Sequence, residues 1–263
     1  VGSEMCIRDR VYSHGYPSGL GAMLQVDDML KFGTPEQQKK VMDCLLDGDA
    51  MGFCLGLSEP QAGSDSNAIT TSFVRKDGKV IINGHKTFCT DADRAKYMLC
   101  MTRDFTKTDL KPNQTMTTWL VPMDSPGITV KPMHKVGHRT RSMCEVYLDN
   151  VVVEESDMVG EEGKGFMTVM KNFEVERLVI AADSLGIASC CYNDALNYAA
   201  QRIQFGKPIA AQQSIAFKLA DMATKLRCAR FLIYSAAELK EQHAPYGMES
   251  AMAKMYASDI ALE

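Results

Sequence analysis

Apolar positions along the chain change their spacing twice. From Leu20 to Gly48 they recur at helical intervals, with Val41, Cys44 and Leu45 marking one face. Thr34-Pro35-Glu36-Gln37 predicts the start of a helix there: a capping threonine, a first-turn proline, and a glutamine placed to close a capping box. From Met51 short β-branched and aromatic runs take over, at 70–75, 80–82, 86–90, 97–103, 117–122, 128–131 and 145–153. Asp77-Gly78 and Asn83-Gly84 separate neighbouring runs and read as hairpin turns. Punctuated in this way, the runs predict a small antiparallel β-domain. After Gly163 the helical period returns. Ile215, Leu219, Met222, Leu226, Ala229, Ile233 and Ala236 step by fours and threes, the seam of a helix packed nearly antiparallel to a neighbour. Residues 163–200 predict another long helix, carrying Phe166, Met170, Phe173, Ile180 and Ile187 on one side.

Composition narrows the partners. With 33 acidic against 29 basic residues and a net charge of −4, the chain has no basic field to attract nucleic acid or an anionic membrane. No apolar run reaches the length of a membrane span. Nine cysteines, none in a Cys-x-x-Cys or Cys/His ligand spacing, read as reduced thiols of a cytoplasmic protein. His134 and His138 have the i, i+4 spacing of a metal pair, but Pro132 and Gly137 place them in a loop, so no metal site is expected. The first decapeptide, Val1–Arg10, resembles translated adaptor sequence and is set aside as a non-native tail. Ala251–Glu263 reads as a helix without a cap, and the chain reads as a fragment.

The richest chemistry lies in two stretches. In Leu57-Ser58-Glu59-Pro60-Gln61-Ala62-Gly63-Ser64-Asp65 a proline fixes the backbone, a glycine permits close approach, and Ser58 and Ser64 offer hydroxyls and main-chain donors. In Asn83-Gly84-His85-Lys86-Thr87-Phe88-Cys89-Thr90 an aromatic and a hydroxyl share a strand. Together they describe a wall and floor for a flat, polar-edged ligand.

These two stretches, with Gly163-Lys164-Gly165-Phe166 and Gln201-Arg202-Ile203-Gln204-Phe205-Gly206, resemble the flavin-dependent acyl-CoA dehydrogenase family in order and over nearly the whole chain. The resemblance implies an α+β multidomain chain. Residues 11–50 would be the remnant of an N-terminal helical domain, 51–158 the middle β-domain, and 159–263 a C-terminal four-helix bundle cut short. The run Lys135–Val146 (Lys-Val-Gly-His-Arg-Thr-Arg-Ser-Met-Cys-Glu-Val), Ser156-Asp157-Met158 and Phe173-Glu174-Val175-Glu176-Arg177 are most similar to the crotonobetainyl-CoA reductase subgroup, which runs the chemistry in the saturating direction within carnitine metabolism.

The resemblance also implies a cofactor, FAD, and roles for named residues. Leu55, Leu57, Ser58, Phe88, Cys89 and Thr90 would line the flavin, with Thr90 at its N5 edge, Phe88 on the ring and Ser58 at the pyrimidine edge. Ser64 would approach the acyl-CoA. Arg202, helped by Gln204 and Gln213, would reach the flavin diphosphate of a neighbouring subunit, for which a guanidinium fork is suited; that implies a homo-oligomer. Read without the resemblance, Arg202 is a solvated cation at a helix C-terminus.

Glu176 falls where one branch of the family carries its catalytic base, and it shares the apolar side of its helix with Phe173 and Ile180. It would abstract the α-proton of the thioester while the β-hydrogen leaves as hydride to flavin N5. The other branch places the base in a Glu-Gly-Thr region beyond Glu263; a surface glutamate beside Arg177 is the plain alternative. Phe173, Glu174 and Arg177 would neighbour the substrate. Electrons would pass to or from an electron-transferring flavoprotein. An acyl-CoA oxidase-like relative and a non-catalytic acyl-CoA-binding homologue are the competing readings.

Overall fold

The computed structural model describes residues 28–46, 52–137 and 141–263. The proposed tail 1–10, the helical expectation for 20–27, the predicted helix end near Gly48, and His138 lie outside them. The chain divides into two compact units, one reaching to Asn172 and the other running Phe173–Glu263.

The first unit opens with a helical turn at 28–32 and α1 (Pro35–Leu46). The capping box forms as read: the Gln37 amide donates to Thr34 Oγ1 at 3.3 Å and the Thr34 amide to Gln37 Oε1 at 3.0 Å. Gln37 also donates its side-chain nitrogen to the carbonyls of Ser156 and Met158, at 2.9 and 3.0 Å.

The sheet comprises β1 (Phe53–Gly56), β2 (Ser72–Lys76), β3 (Lys79–Thr90), β4 (Tyr97–Arg103), β5 (Met116–Pro122), β6 (Ile128–Pro132), β7 (Met143–Val153) and β8 (Met158–Val159). Its order is β6-β7-β3-β2-β4-β5-β8, with β1 paired to β4 off that path. Most pairings are antiparallel, but β1 runs parallel to β4, as does the single Ser72–Arg103 bridge. The β2–β3 hairpin supplies the crossover that a parallel pair requires.

One turn assignment is corrected. Asp77-Gly78 makes the hairpin, with φ of 52° and 76°, the left-handed pair of a type I′ turn. Asn83-Gly84 does not turn; it lies inside β3, which joins the runs 80–82 and 86–90. Gly84 is there for close approach, since a Cβ would stand 2.3 Å from Thr71 Oγ1. The Asn83 side chain accepts from the Asn150 amide at 2.8 Å, where β7 carries an extra residue.

The central strands are buried on both faces. Met98, Cys100, Trp119 and Val121 join Phe73, Ile82, Cys89, Cys144 and Val146 in one core; Leu99 and Leu120 face Met29, Val41 and Phe53 in another. Trp119 satisfies its indole N–H on Thr102 Oγ1 at 2.9 Å. This two-sided burial explains why β1, a four-residue apolar run, gives no alternating signal.

The long helix α2 (Gly165–Gln201) starts in the first unit, where Asn172 donates to Asp28 at 3.0 Å, and continues in the second. The expected apolar side of α2 is only half-buried; its most buried positions are small or polar, among them Val169, Asn172, Ala181 and Ser184. The second unit adds a short hairpin, β9 (Ile203–Gln204) and β10 (Lys207–Pro208), then α3 (Gln213–Glu241) and α4 (Gly247–Leu262). The predicted seam of α3 is its buried stripe: Ala229 and Ile233 pack with Ala181 of α2 and Ala253 and Ala257 of α4. None of the described helices is long and apolar enough to cross a membrane.

Candidate active site

The two chemically rich stretches meet. The Thr87 amide donates to the Ser58 carbonyl at 2.9 Å, tying the turn after β1 to the outer half of β3. Beneath that link Lys86 Nζ lies 2.8 Å from Glu59 Oε1 and donates to the Leu57 carbonyl at 3.2 Å. The Glu59 carboxylate also accepts from the amides of Thr70 and Thr71, at 2.7 and 3.0 Å, and from Gln61 Nε2 at 2.6 Å. Burial pushes the Glu59 carboxyl up, but the Lys86 charge and these donors outweigh it and hold it down at about 2. The turn is therefore fixed from inside by ionic and backbone bonds, with Glu59 and Ala62 exchanging both main-chain hydrogen bonds. Leu55, Leu57 and Ser58 are half-buried along it, and Ser64 is exposed.

β3 then does something unusual. Between the register pairs Lys86–Val146 and Cys89–Cys144 it carries one residue more than β7, and Phe88 adopts φ +58° with 61% of its surface exposed. A bulky residue in the left-handed region is strained, and such strain collects where a site re-aims a side chain. The bulge turns the ring outward while Cys89 points into the core. Cys89 is fully buried, its thiol pushed up to about 12 by burial, so the main chain is all it can present to a ligand. Thr90 is half-buried; its hydroxyl lies 3.7 Å from the Met143 sulfur.

In the second unit Phe173, Glu176 and Arg177 are half-buried on α2. Burial raises the Glu176 pKa and the Arg177 charge opposes it in part. Glu176 has no hydrogen-bond or ion-pair partner among the described residues, leaving its carboxylate free to take a proton. Glu174 has a neighbour within the unit: a Cβ on Gly247, the first residue of α4, would stand 2.9 Å from its Oε1. A carboxylate there suits the helix N-terminus. Arg202, Gln204 and Gln213 are exposed along the β9–β10 hairpin and the start of α3. The hairpin tip, Phe205-Gly206, is left-handed at both residues, and Phe205 is 92% exposed.

Sequence reasoning passed over Glu59, Lys86 and Arg141, although all three lie inside the quoted motifs, and over Asp91, which directly follows Thr90. A lysine at an inward strand position was the available signal, because it demands a buried anion. His134 is exposed in the loop after β6, and no group of metal-binding side chains forms among the described residues.

Comparison with known proteins decides the family. Residues 54–151 match the acyl-CoA dehydrogenase middle domain, and residues 163–263 match the acyl-CoA dehydrogenase C-terminal domain. The chain belongs to the acyl-CoA dehydrogenase family. It is 48% identical over 238 residues to the probable acyl-CoA dehydrogenase YdiO of Escherichia coli strain K12, covering 90% of this chain and 62% of that protein. Butyryl-CoA dehydrogenase from Megasphaera elsdenii superposes with a TM-score of 0.83 at 36% identity, over 90% of this chain and 61% of that one. A chain from a structure of the electron transferring flavoprotein of Acidaminococcus fermentans superposes with a TM-score of 0.82 at 33% identity, over 89% of this chain and 61% of that one. The chain thus spans about 62% of the length of the curated relative. Acyl-CoA dehydrogenases are FAD flavoproteins, and an exposed aromatic beside a half-buried hydroxyl at one strand end fits a flat ring with a polar edge.

Proposed function

We propose that the protein is an FAD-dependent oxidoreductase acting on the CH–CH bond of an acyl-CoA thioester. The observation that carries this reading is the outward, left-handed Phe88 in the β3 bulge, hydrogen-bonded through its neighbour Thr87 to Ser58. The bound flavin would supply hydride chemistry at N5. Phe88 would pack on the ring, Thr90 would offer its hydroxyl to the N5 edge, and Ser58 and the main chain of Leu55–Leu57 and Cys89 would line the rest. Ser64 would meet the acyl-CoA. Glu176 would take the α-proton: its raised pKa, caused by burial, makes the carboxylate a stronger base. Phe173 would shield it from water, and Arg177 would keep its pKa from climbing further.

Arg202, Gln204 and Gln213 would bind the diphosphate of a second copy, so the working form would be a homo-oligomer. Electrons would pass to or from an electron-transferring flavoprotein in the bacterial cytoplasm, and the donor or acceptor would set the direction, including the reductive direction of the crotonobetainyl-CoA subgroup. The test is anaerobic mixing of FAD-loaded protein with acyl-CoA thioesters of short to long chain. Bleaching of the flavin band by at least one thioester supports the reading; no bleaching marks a non-catalytic binder, and stoichiometric peroxide on admitting air marks an oxidase.

A further inference from the structure

A second ionic contact closes the other end of the Phe88–Thr90 segment. Asp91 is fully buried at φ +57°. Its carboxylate accepts from Arg141 Nε at 2.7 Å, from a second guanidinium nitrogen of Arg141, and from the Ser142 amide at 3.2 Å. Its own amide donates to the Ser142 carbonyl at 3.1 Å, and its carbonyl accepts the amides of Arg94 and Ala95 at 3.0 and 2.9 Å. The Arg141 carbonyl in turn accepts from Lys135 Nζ at 2.5 Å. Ser142 directly precedes Met143, the register partner of Thr90.

Asp91 therefore joins three segments at one point: the end of β3, the turn after it and the start of β7. Two left-handed residues that are not glycine, Phe88 and Asp91, stand within four positions here, and such strain persists only where its surroundings over-determine it. Glu59–Lys86 fixes the segment before Phe88; the forked Asp91–Arg141 pair fixes it after Thr90.

We propose that Asp91 and Arg141 are positioning residues for the flavin wall, holding the Phe88 ring and the Thr90 hydroxyl in the orientation the cofactor requires. This rests on the flavin reading above. The test uses protein expressed from its whole natural gene, stripped of flavin and titrated with FAD. The variant is the neutral pair Asp91→Asn with Arg141→Gln, since asparagine tolerates the left-handed backbone and no lone charge stays buried. Its FAD dissociation constant should rise about tenfold, and amide exchange at residues 88–91 should quicken while β4 and β5 stay protected. Arg141→Lys, which keeps the charge and loses the fork, should weaken FAD binding about threefold. Unchanged affinity and unchanged exchange at 88–91 in both variants would overturn the inference and leave the flavin reading standing. A wild-type protein that takes up no FAD would overturn both.

Discussion

Lys86 holds its ammonium 2.8 Å from the carboxylate of Glu59, 27 residues earlier, and both side chains are essentially excluded from water. The pair joins the turn carrying Ser58 and Ser64 to the strand carrying Phe88 and Thr90. Removing one partner leaves a buried charge alone, which costs about 3–5 kcal/mol, whereas removing both is far milder. Lys86→Met should therefore lower stability by about that amount in denaturant unfolding, and the double change Glu59→Gln with Lys86→Met should recover most of it.

The same pair sets an acid limit. The Glu59 pKa falls from 4.5 to about 2 on folding, so its contribution is complete above pH 4.5 and fades as the pH drops toward 2. The loss over that window is on the order of 3 kcal/mol. Unfolding curves of the wild type across this range should show the slope, and the double variant should lack it.

Gly84 tests the reassigned strand. A Cβ there would meet Thr71 Oγ1 at 2.3 Å and Thr71 Cβ at 2.6 Å, contacts that force the strand apart. Gly84→Ala should cost about 1–3 kcal/mol, by the logic of overpacking a closed core. Thermal unfolding checks it; an alanine tolerated without loss would mean the segment is the open turn that sequence alone suggested.

Phe88 separates stability from binding. Its φ of +58° suits glycine and strains phenylalanine. Phe88→Gly should leave the melting temperature unchanged or raise it slightly, while FAD affinity falls about tenfold with the lost stacking surface. A variant that loses stability and keeps affinity would assign Phe88 to the core.

What the chain discloses in advance follows the range of the interactions. The Thr34–Gln37 box and the Asp77-Gly78 turn are local and can be read from a few residues. The α3 seam is periodic and equally plain. Asn83-Gly84 deceives because glycine serves both turns and close approaches, and Thr71, the neighbour that decides between them, lies elsewhere in the sequence. β1 hides because a strand buried on both faces loses its alternation. The ion pairs Glu59–Lys86 and Asp91–Arg141 span 27 and 50 residues, so only the folded sheet brings their charges together.

In the proposed function Glu176 takes the α-proton of an acyl-CoA thioester while a flavin takes the hydride. Burial raises the Glu176 pKa above its ordinary 4.5, so flavin reduction should speed up as the pH climbs through that raised value. The most direct measurement is the anaerobic reductive half-reaction of the FAD-loaded protein, followed by flavin absorbance for the wild type and Glu176→Gln. Glu176→Gln should bind FAD normally and bleach about 100-fold or more slowly than the wild type. A variant that bleaches at the wild-type rate would contradict this role and place the base elsewhere.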